Sequence, residues 1–553
     1  MPDFNAVVVG SGLGGSVTAY RLAEADERVL VQELGREWKP RDDPRVLGKD
    51  LTFDEDCPEV RYGWLDLRCF DELAVARSAG VGGGSLIYPN VSVAPPPSSL
   101  DRRWPEAINA PALEPYLERS GKMLGAATIP EGQRTERRRF RRRGAEDLGQ
   151  LDRFDSIPQA VSFDPDYRPS ELDDPTDQAH AKSFTNRFGR QQRTCIDLGH
   201  CDRGGRVQAK NTLNLNYLAR ATNMGTEIPP LPMARAIERQ GNQWRIRFER
   251  IDQGMRSGSV SADRLVLSAG SLGSTKLLLR AKLDRGSPTL GRDWSANGDR
   301  LNPALSDDEA DPICGPTISA RIDHTDGEAY GEHIFIQDGG FAHVLDMCVA
   351  GSLRKLPRLW RRLRFLGDWA EEIRLTKNIM PWFAQAIDAS NGRLCPKRRH
   401  RLFGKERLAL DWDIRNSRKT IDAVVELQLH KKLAMATGGK PMVSPTWAVC
   451  QDLITPHPLG GCNMANGPAG GVVDHTGRAF GQQGLYVLDG AVIPRGDRPR
   501  SVSHDRGGSR VGSGALALGM RWLVWTFRNR TGSRCWSECG GSRRSCWCRT
   551  RRR

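Results

Sequence analysis

The clearest pattern in the chain lies near its start. An apolar run, Ala6-Val7-Val8-Val9, breaks directly into Gly10-Ser11-Gly12-Leu13-Gly14-Gly15. An unbroken apolar run of this kind predicts a parallel strand buried on both faces, and the apolar spacing of Ser16 to Ala25 predicts a helix. A second run, Val29-Leu30-Val31, ends at Glu33. Much later, Arg264-Leu265-Val266-Leu267 ends in Ser268-Ala269-Gly270-Ser271 and passes into the helical pattern SLGSTKLLLRA, a second strand–glycine–helix junction. A return to this unit so late in the chain predicts a domain that is discontinuous in sequence. Between the two junctions, Trp104 to Leu124 predicts a short helical segment, and Thr128 to Lys182, polar and dotted with proline, an excursion or lid. Lys210-Asn211-Thr212 predicts the opening of a further helix. The alternation of NQWRIRFER, within Glu227 to Arg250, predicts a strand of a small sheet. Leu301 to Ala448 reads as a second domain. It contains a basic amphipathic stretch, Leu353 to Leu366, and an apolar one, Ile379 to Ala386.

The first junction has a chemical reading. The spacing G-x-G-x-x-G puts Gly10 at a tight turn, Gly12 where backbone must approach a pyrophosphate, and Gly15 where helix meets strand. Phosphates would sit on the free N–H groups of the helix N-terminus, and Glu33 would hold a ribose hydroxyl pair. A second cluster, Gly80 to Ser85 (GVGGGS), lets backbone approach a cofactor closely; its alternative is a flexible loop.

Composition narrows the picture. A chain of 553 residues buries a large core and holds more than one domain. No run of 18 or more apolar residues is present, and the first apolar stretch is already the first strand, so neither a transmembrane helix nor a signal peptide is expected and the cytoplasm is the expected compartment. Thirteen cysteines without regular pairing suggest reduced thiols. Cys195, His200 and Cys201 fall short of the four ligands of a structural zinc site, so no metal is expected. The net charge of +15 suggests nucleic acid until its distribution is considered. Residues 497–553 hold 14 Arg against Asp497, Asp505 and Glu538, which leaves the preceding 496 residues only +4. The other basic block, Arg134 to Arg143 (RTERRRFRRR), reads as a solvated loop or helix face. No nucleic-acid partner is expected. The amphipathic stretch 353–366 has two readings, a solvated basic face or a peripheral contact with anionic lipid.

Thr455 to Cys462 (TPHPLGGC) and Gly484 to Pro494 (GLYVLDGAVIP), taken with the N-terminal glycines and GVGGGSLIY, resemble the glucose–methanol–choline (GMC) oxidoreductases, and most closely their bacterial cholesterol oxidase branch. CIDLGHCDRGGRVQAKNTLNLNYL, from Cys195 to Leu218, is similar to a cysteine-rich signature of that branch, except that Leu198 and Gly205 stand where cysteine is usual. Ser287 to Asp299 (SPTLGRDWSANGD) also fits, and the resemblance runs from Met1 to about Arg495. It implies FAD as cofactor. Gly10, Gly12, Gly15 and Glu33 would bind its adenosine half, Gly82, Gly83, Gly84 and Ser85 would lie along the flavin, and Ala269, Gly270, Asp489 and Gly490 would complete the cofactor site. His457 matches the active-site histidine. A neutral imidazole near pH 7 suits the chemistry, because it can take the proton of an alcohol as a hydride leaves the same carbon. The branch also isomerises a 5-ene-3-ketone with a carboxylate of the substrate domain, for which Asp338 is a candidate.

The pattern breaks after Pro494. The family has an Asn-Pro there, then a helix of the type TITALAER; this chain reads RGDRPRSVSHDRGGSRVGSG, followed by an aperiodic mixture of Arg, Trp and Cys. Ser503 to Arg510 can be encoded so that the neighbouring frame reads Thr-Ile-Ala-Ala-Ala-Ala-Glu, which suggests a frameshift near Arg495 to Arg500. The rival reading is a genuine basic tail.

The expectation is therefore an α/β fold: a Rossmann-like FAD-binding domain in three pieces (1–105, 191–300 and 451–496), an excursion (106–190), a second α+β substrate domain (301–450), and a non-native or disordered tail (497–553). The expected activity is FAD-dependent oxidation of a sterol 3-hydroxyl, or of another hydrophobic alcohol, with O2 reduced to H2O2 and with or without 5-ene to 4-ene isomerisation. The alternatives are a GMC dehydrogenase with another acceptor and a flavin-binding protein impaired by the missing Asn-Pro.

Overall fold

The computed structural model describes residues 1–39, 52–71, 73–95, 100, 103–201, 205, 207–283, 287–312, 314–326, 334–340, 377–386, 388–398, 406–414, 429–442 and 453–494. The amphipathic stretch 353–366 and the tail 497–553 lie outside these residues. In chain order the first third holds β1 (Phe4–Val9), α1 (Leu13–Ala23), β2 (Val29–Gln32), β3 (Thr52–Phe53), β4 (Leu65–Cys69), β5 (Leu73–Ser78), α2 (Ala110–Leu124), α3 (Glu136–Asp147), β6 (Phe154–Ser156), β7 (Ser183–Thr185) and β8 (Gln191–Arg193). Then come α4 (Tyr217–Asn223), β9 (Pro232–Gln240), β10 (Gln243–Arg250), β11 (Arg256–Leu267) and α5 (Gly270–Arg280). The remainder comprises β12 (Arg300–Ser306), β13 (Ala320–His324), β14 (Ile334–Asp338), β15 (Ile379–Ala386), β16 (Arg393–Arg398), β17 (Glu406–Asp411), α6 (Lys431–Ala436), β18 (Gly439–Pro441), β19 (Leu453–Thr455) and β20 (Leu485–Val487).

Four strands from distant parts of the chain align in parallel in the order β2-β1-β11-β20. Val9 stands opposite both Gln32 and Leu267, and Leu267 opposite Val487, so all four carboxyl ends lie level at one edge. In β1 all but one residue is buried, as its apolar run requires when helices or loops cover both faces. The alternating segment expected as part of a small sheet instead extends this one. β10 pairs antiparallel with both β9 and the first half of β11, a strand long enough to serve the parallel core and the antiparallel arm. The helix expected to open at Lys210 starts at Tyr217, with Asn216 accepting from the Tyr217 N–H, and packs against α1.

A second sheet, β18-β12-β15-β14-β13-β6, is antiparallel throughout. Register assigns its faces. Trp382 opposes Asn302 and Asp338, and this parity (Ile322, Ile334, Ile336, Met380, Ala384) packs against Phe140 of α3 and Leu433 of α6. The opposite parity carries Phe383 and Gln385.

The segment expected as an excursion supplies β6 to this sheet and α3 to its face, and the arginine block expected to be solvated is partly buried. Arg137 is wholly buried, donating to the carbonyls of Cys314, Pro316 and Thr317 and pairing with Asp338 at 3.3 Å. Arg141 donates to the Ile336 carbonyl and stacks over Trp382 at 4.4 Å, and Arg138 bonds the Ser156 hydroxyl. A guanidinium tolerates such a place when its fixed fork meets backbone carbonyls, which a charge pattern does not reveal.

A third sheet, β19-β5-β4-β3, is tied to the first by a charge network around Glu55. Glu55 pairs with Arg68 of β4 at 2.7 Å, with Arg235 of β9 at 3.8 Å and with Lys276 of α5. Burial alone would raise its carboxyl, but Arg68 and Lys276 outweigh burial and hold it well below the usual carboxylate range. Removing one partner of such a group leaves the others uncompensated, so Glu55→Gln is expected to cost about 3 kcal/mol at neutral pH. A depressed folded-state value contributes stability above the unfolded value of 4.5 and loses it as pH falls below that. Denaturant unfolding should therefore show the wild type and Glu55→Gln converging between about pH 4 and pH 2; a constant gap would exclude this role.

Candidate active site

The loops that the sequence marks for a cofactor all leave the carboxyl ends of parallel strands. Gly10 to Gly15 follow β1, Glu33 follows β2, Ala269 and Gly270 follow β11, and Asp489 and Gly490 follow β20. Ligands of open parallel sheets bind at this edge. A second parallel pair contributes the rest: β5 leads into the Gly80–Ser85 cluster and β19 into His457, with Thr455 opposite Val75.

Side chains join these loops. The Ser11 hydroxyl donates to Glu33 at 2.6 Å and accepts from the Gly82 N–H at 2.9 Å, linking the first glycine loop, the carboxylate and the second glycine cluster. Glu33 also accepts from the Ser11 and Gly35 N–H groups, and burial pushes its carboxyl above the usual range. A β-carbon on Gly83 would lie 2.6 Å from the Gly12 α-carbon, so the two glycine clusters touch. Asp489 accepts from the Gly270 N–H at 2.9 Å, the Ser274 hydroxyl at 2.5 Å and the Ala491 N–H at 2.8 Å, and its desolvated carboxyl is pushed up to about 6. Ser85, fully buried, donates to the Gly82 carbonyl and accepts from the Leu213 N–H, so it holds its loop together.

The site fits FAD. α1 starts at Gly12 with no side-chain cap and no acid in its first turn, so its N–H groups and dipole are available to a pyrophosphate. A β-carbon on Gly12, Gly84 or Gly270 would meet nothing within 4 Å, so the backbone opens onto space along the edge where a flat cofactor has to lie. Gly10 has φ 101°, and a β-carbon there would strike the Ser268 carbonyl at 2.3 Å. Gly14, to which the sequence reading assigns no role, is tighter still: its β-carbon would lie 1.5 Å from the Leu488 carbonyl oxygen.

His457 sits between two prolines on a braced loop. The Gly460 N–H donates to the Gly490 carbonyl, Leu459 bridges Ser295 in both directions, and the His457 N–H donates to the Thr455 hydroxyl. Nδ1 lies 2.8 Å from Asp299 Oδ2, whose side chain is 1% exposed. Thr455 donates to the same oxygen at 2.7 Å, and the Gln385 amide donates to Oδ1 at 2.9 Å. Among the described residues Nε2 has no hydrogen-bond partner, and the side chain is 23% exposed. The Phe383 ring lies 6.3 Å away. Asp299, Gln385 and Thr455 escape the sequence reading as functional residues. Asp299 ends the Ser287–Asp299 motif, which assigns it no role, and only the pairing of β12 with β15 sets Gln385 beside it.

Asp338 is not part of this group. It lies on the face of β14 turned to α3, where it accepts from the Ser319 and Ala320 N–H groups and the Ser319 hydroxyl and pairs with Arg137. Gln337, opposite Phe383, has the parity of the site.

Residues 403–499 match the family model of the GMC oxidoreductases. Two similar proteins are a cholesterol oxidase of Mycobacterium tuberculosis (strain CDC 1551 / Oshkosh), 28% identical over 519 residues covering 89% of this chain and 87% of that protein, and a cholesterol oxidase of Acinetobacter baumannii, 25% identical over 552 residues covering 89% and 90%. The fold is similar to that of pyridoxine 4-oxidase from Mesorbium loti, with a TM-score of 0.60 and 16% identity, covering 95% of this chain and 99% of that one. It is also similar to that of a formate oxidase, with a TM-score of 0.62 and 14% identity, covering 95% and 98%. Motifs, architecture and relatives agree: over most of its length the chain is similar to GMC oxidoreductases, and it has their FAD-binding, mixed α/β fold.

Proposed function

We propose that the protein oxidises the secondary hydroxyl of a sterol-like, hydrophobic alcohol to a ketone and passes the two electrons to O2, forming H2O2. The observation that carries this reading is His457, anchored through Nδ1 and free at Nε2, on a loop hydrogen-bonded to the Asp489–Gly490 cofactor loop. FAD, when bound, supplies the hydride acceptor. His457 Nε2 accepts the substrate hydroxyl and takes its proton. Two prolines and the bond to Thr455 hold the ring still, so its orientation is set before substrate arrives. Phe383 offers an apolar surface beside it. The similar proteins named cholesterol oxidase support a sterol, and the oxidase names among the relatives support O2.

Isomerisation draws no support from Asp338, whose carboxylate is used by Arg137 and two backbone N–H groups on the far face of its sheet. Peripheral membrane contact rests on residues 353–366 alone. Among the described residues no helix is long and apolar enough to cross a membrane.

Anaerobic mixing of the FAD-loaded protein with cholesterol tests the reading. The flavin absorbance should bleach, and readmitted air should restore it with one peroxide per turnover. Bleaching followed by dye reduction without peroxide would identify a dehydrogenase. A yellow protein that no alcohol bleaches would favour the impaired flavoprotein, the reading that the loss of Asn-Pro after Pro494 motivates.

A further inference from the structure

We propose that Asp299 is the positioning residue of this site, holding His457 as the tautomer with its proton on Nδ1 so that Nε2 faces the substrate hydroxyl as a free base. The inference rests on the reading of His457 as the group that takes the alcohol proton. A neutral imidazole carries one proton and two nitrogens, and its partner decides which nitrogen keeps it. A carboxylate only accepts, so the 2.8 Å contact between Nδ1 and Oδ2 places the proton on Nδ1; the Gln385 amide nitrogen, farther from Nδ1 at 3.2 Å, donates instead to Asp299 Oδ1 at 2.9 Å. The remaining contacts of the carboxylate are donors too, Thr455 on Oδ2 and Gln385 on Oδ1. Among the described residues no Lys or Arg pairs with it. Among the described residues His457 is the ion-pair partner of Asp299, and the imidazolium formed when Nε2 takes a proton supplies the positive charge beside it.

The geometry is built from separate parts of the chain. Asp299 ends a segment that is clamped on both sides. Leu459 and Ser295 exchange two backbone bonds at 3.0 Å, and Asp388 accepts from the Ser295 hydroxyl at 2.7 Å and the Ala296 N–H at 2.7 Å. Gln385 arrives from β15 and Thr455 from the end of β19, so the carboxylate joins the antiparallel sheet to the histidine loop. This is the logic of an acid that orients a base without itself being protonated. Asp299 acts only through His457.

Nitrogen-15 NMR of the FAD-loaded protein, labelled at histidine and free of substrate, reads the tautomer directly. Wild type should show Nδ1 protonated and Nε2 unprotonated when the ring is neutral, and Asp299→Asn should lose that preference. In steady-state assays with cholesterol, Asp299→Asn should lower kcat on the order of 10²-fold or more with KM nearly unchanged, whereas a merely structural defect would move both. A wild-type spectrum with the proton on Nε2 overturns the proposal even if Asp299→Asn does not fold. An Asp299→Asn protein that keeps the wild-type tautomer and kcat also overturns it. If cholesterol and other alcohols leave the wild type unreduced, the functional reading fails while the tautomer measurement still decides this one.

Discussion

His457→Ala is expected to lower kcat with the best alcohol by about 10²- to 10⁴-fold while the protein stays yellow and folded. Its side chain is partly exposed, and among the described residues its side-chain hydrogen bonds go to Asp299 and Gln385, with the Phe383 ring beside it. Loss of the ring therefore removes the proton acceptor without opening the core. The residual activity should respond to added imidazole, since the cavity left at His457 retains Asp299 to orient a small base. Two measurements check this, flavin content by absorbance and kcat by peroxide release. Equal loss of both would assign His457 to folding instead of proton transfer.

Gly14→Ala is the second large effect, and it should fall on the cofactor itself. The added carbon would lie 1.5 Å from the Leu488 carbonyl oxygen, a backbone atom in the strand end that carries Asp489. No side chain can rotate away to relieve this. α1 must separate from β20, at a cost of at least about 1–3 kcal/mol, and the loop holding Asp489 moves away from the helix N-terminus. The variant is expected to be purified colourless, with a lowered thermal midpoint. Gly12→Ala makes a useful contrast, because its β-carbon meets no protein atom. That variant should fold with a midpoint near wild type and bind FAD more weakly, since its methyl projects into the space the cofactor uses. If Gly14→Ala binds FAD like wild type, the close approach of α1 to Leu488 is wrong.

The loops at the carboxyl edge of the parallel sheet were legible because their requirements are local. A buried strand, a turn with positive φ and a helix that starts without a cap each need particular residues at fixed offsets, so Gly10, Gly12, Gly15, Ala269 and Gly270 announce themselves. Gly14 did not, because the atom that excludes its side chain belongs to Leu488, 474 residues away. The arginines of α3 misled for a related reason. RTERRRFRRR has the charge of a solvated helix, yet Arg137 finds its hydrogen bonds in the carbonyls of residues 314, 316 and 317, which no local pattern foretells.

Strand parity separates the two candidate carboxylates. Asp338 lies in a conspicuous motif, but Asp338 and Trp382 share the face turned toward α3, whereas Gln385 and Phe383 share the face beside His457. A one-residue change of register would exchange them.

By itself, the amino-acid sequence determined a strand–glycine–helix unit of dinucleotide-binding type that the chain re-enters late, and a histidine set between two prolines, because backbone conformation and apolar runs are properties of neighbouring residues. FAD in particular was implied by the resemblance of the longer motifs. Only the tertiary structure decided how that histidine is held. Asp299, Gln385 and Thr455 come from three different strands or strand ends, and hydrogen bonds between them exist only once β12 is registered against β15 and β19 lies beside β5.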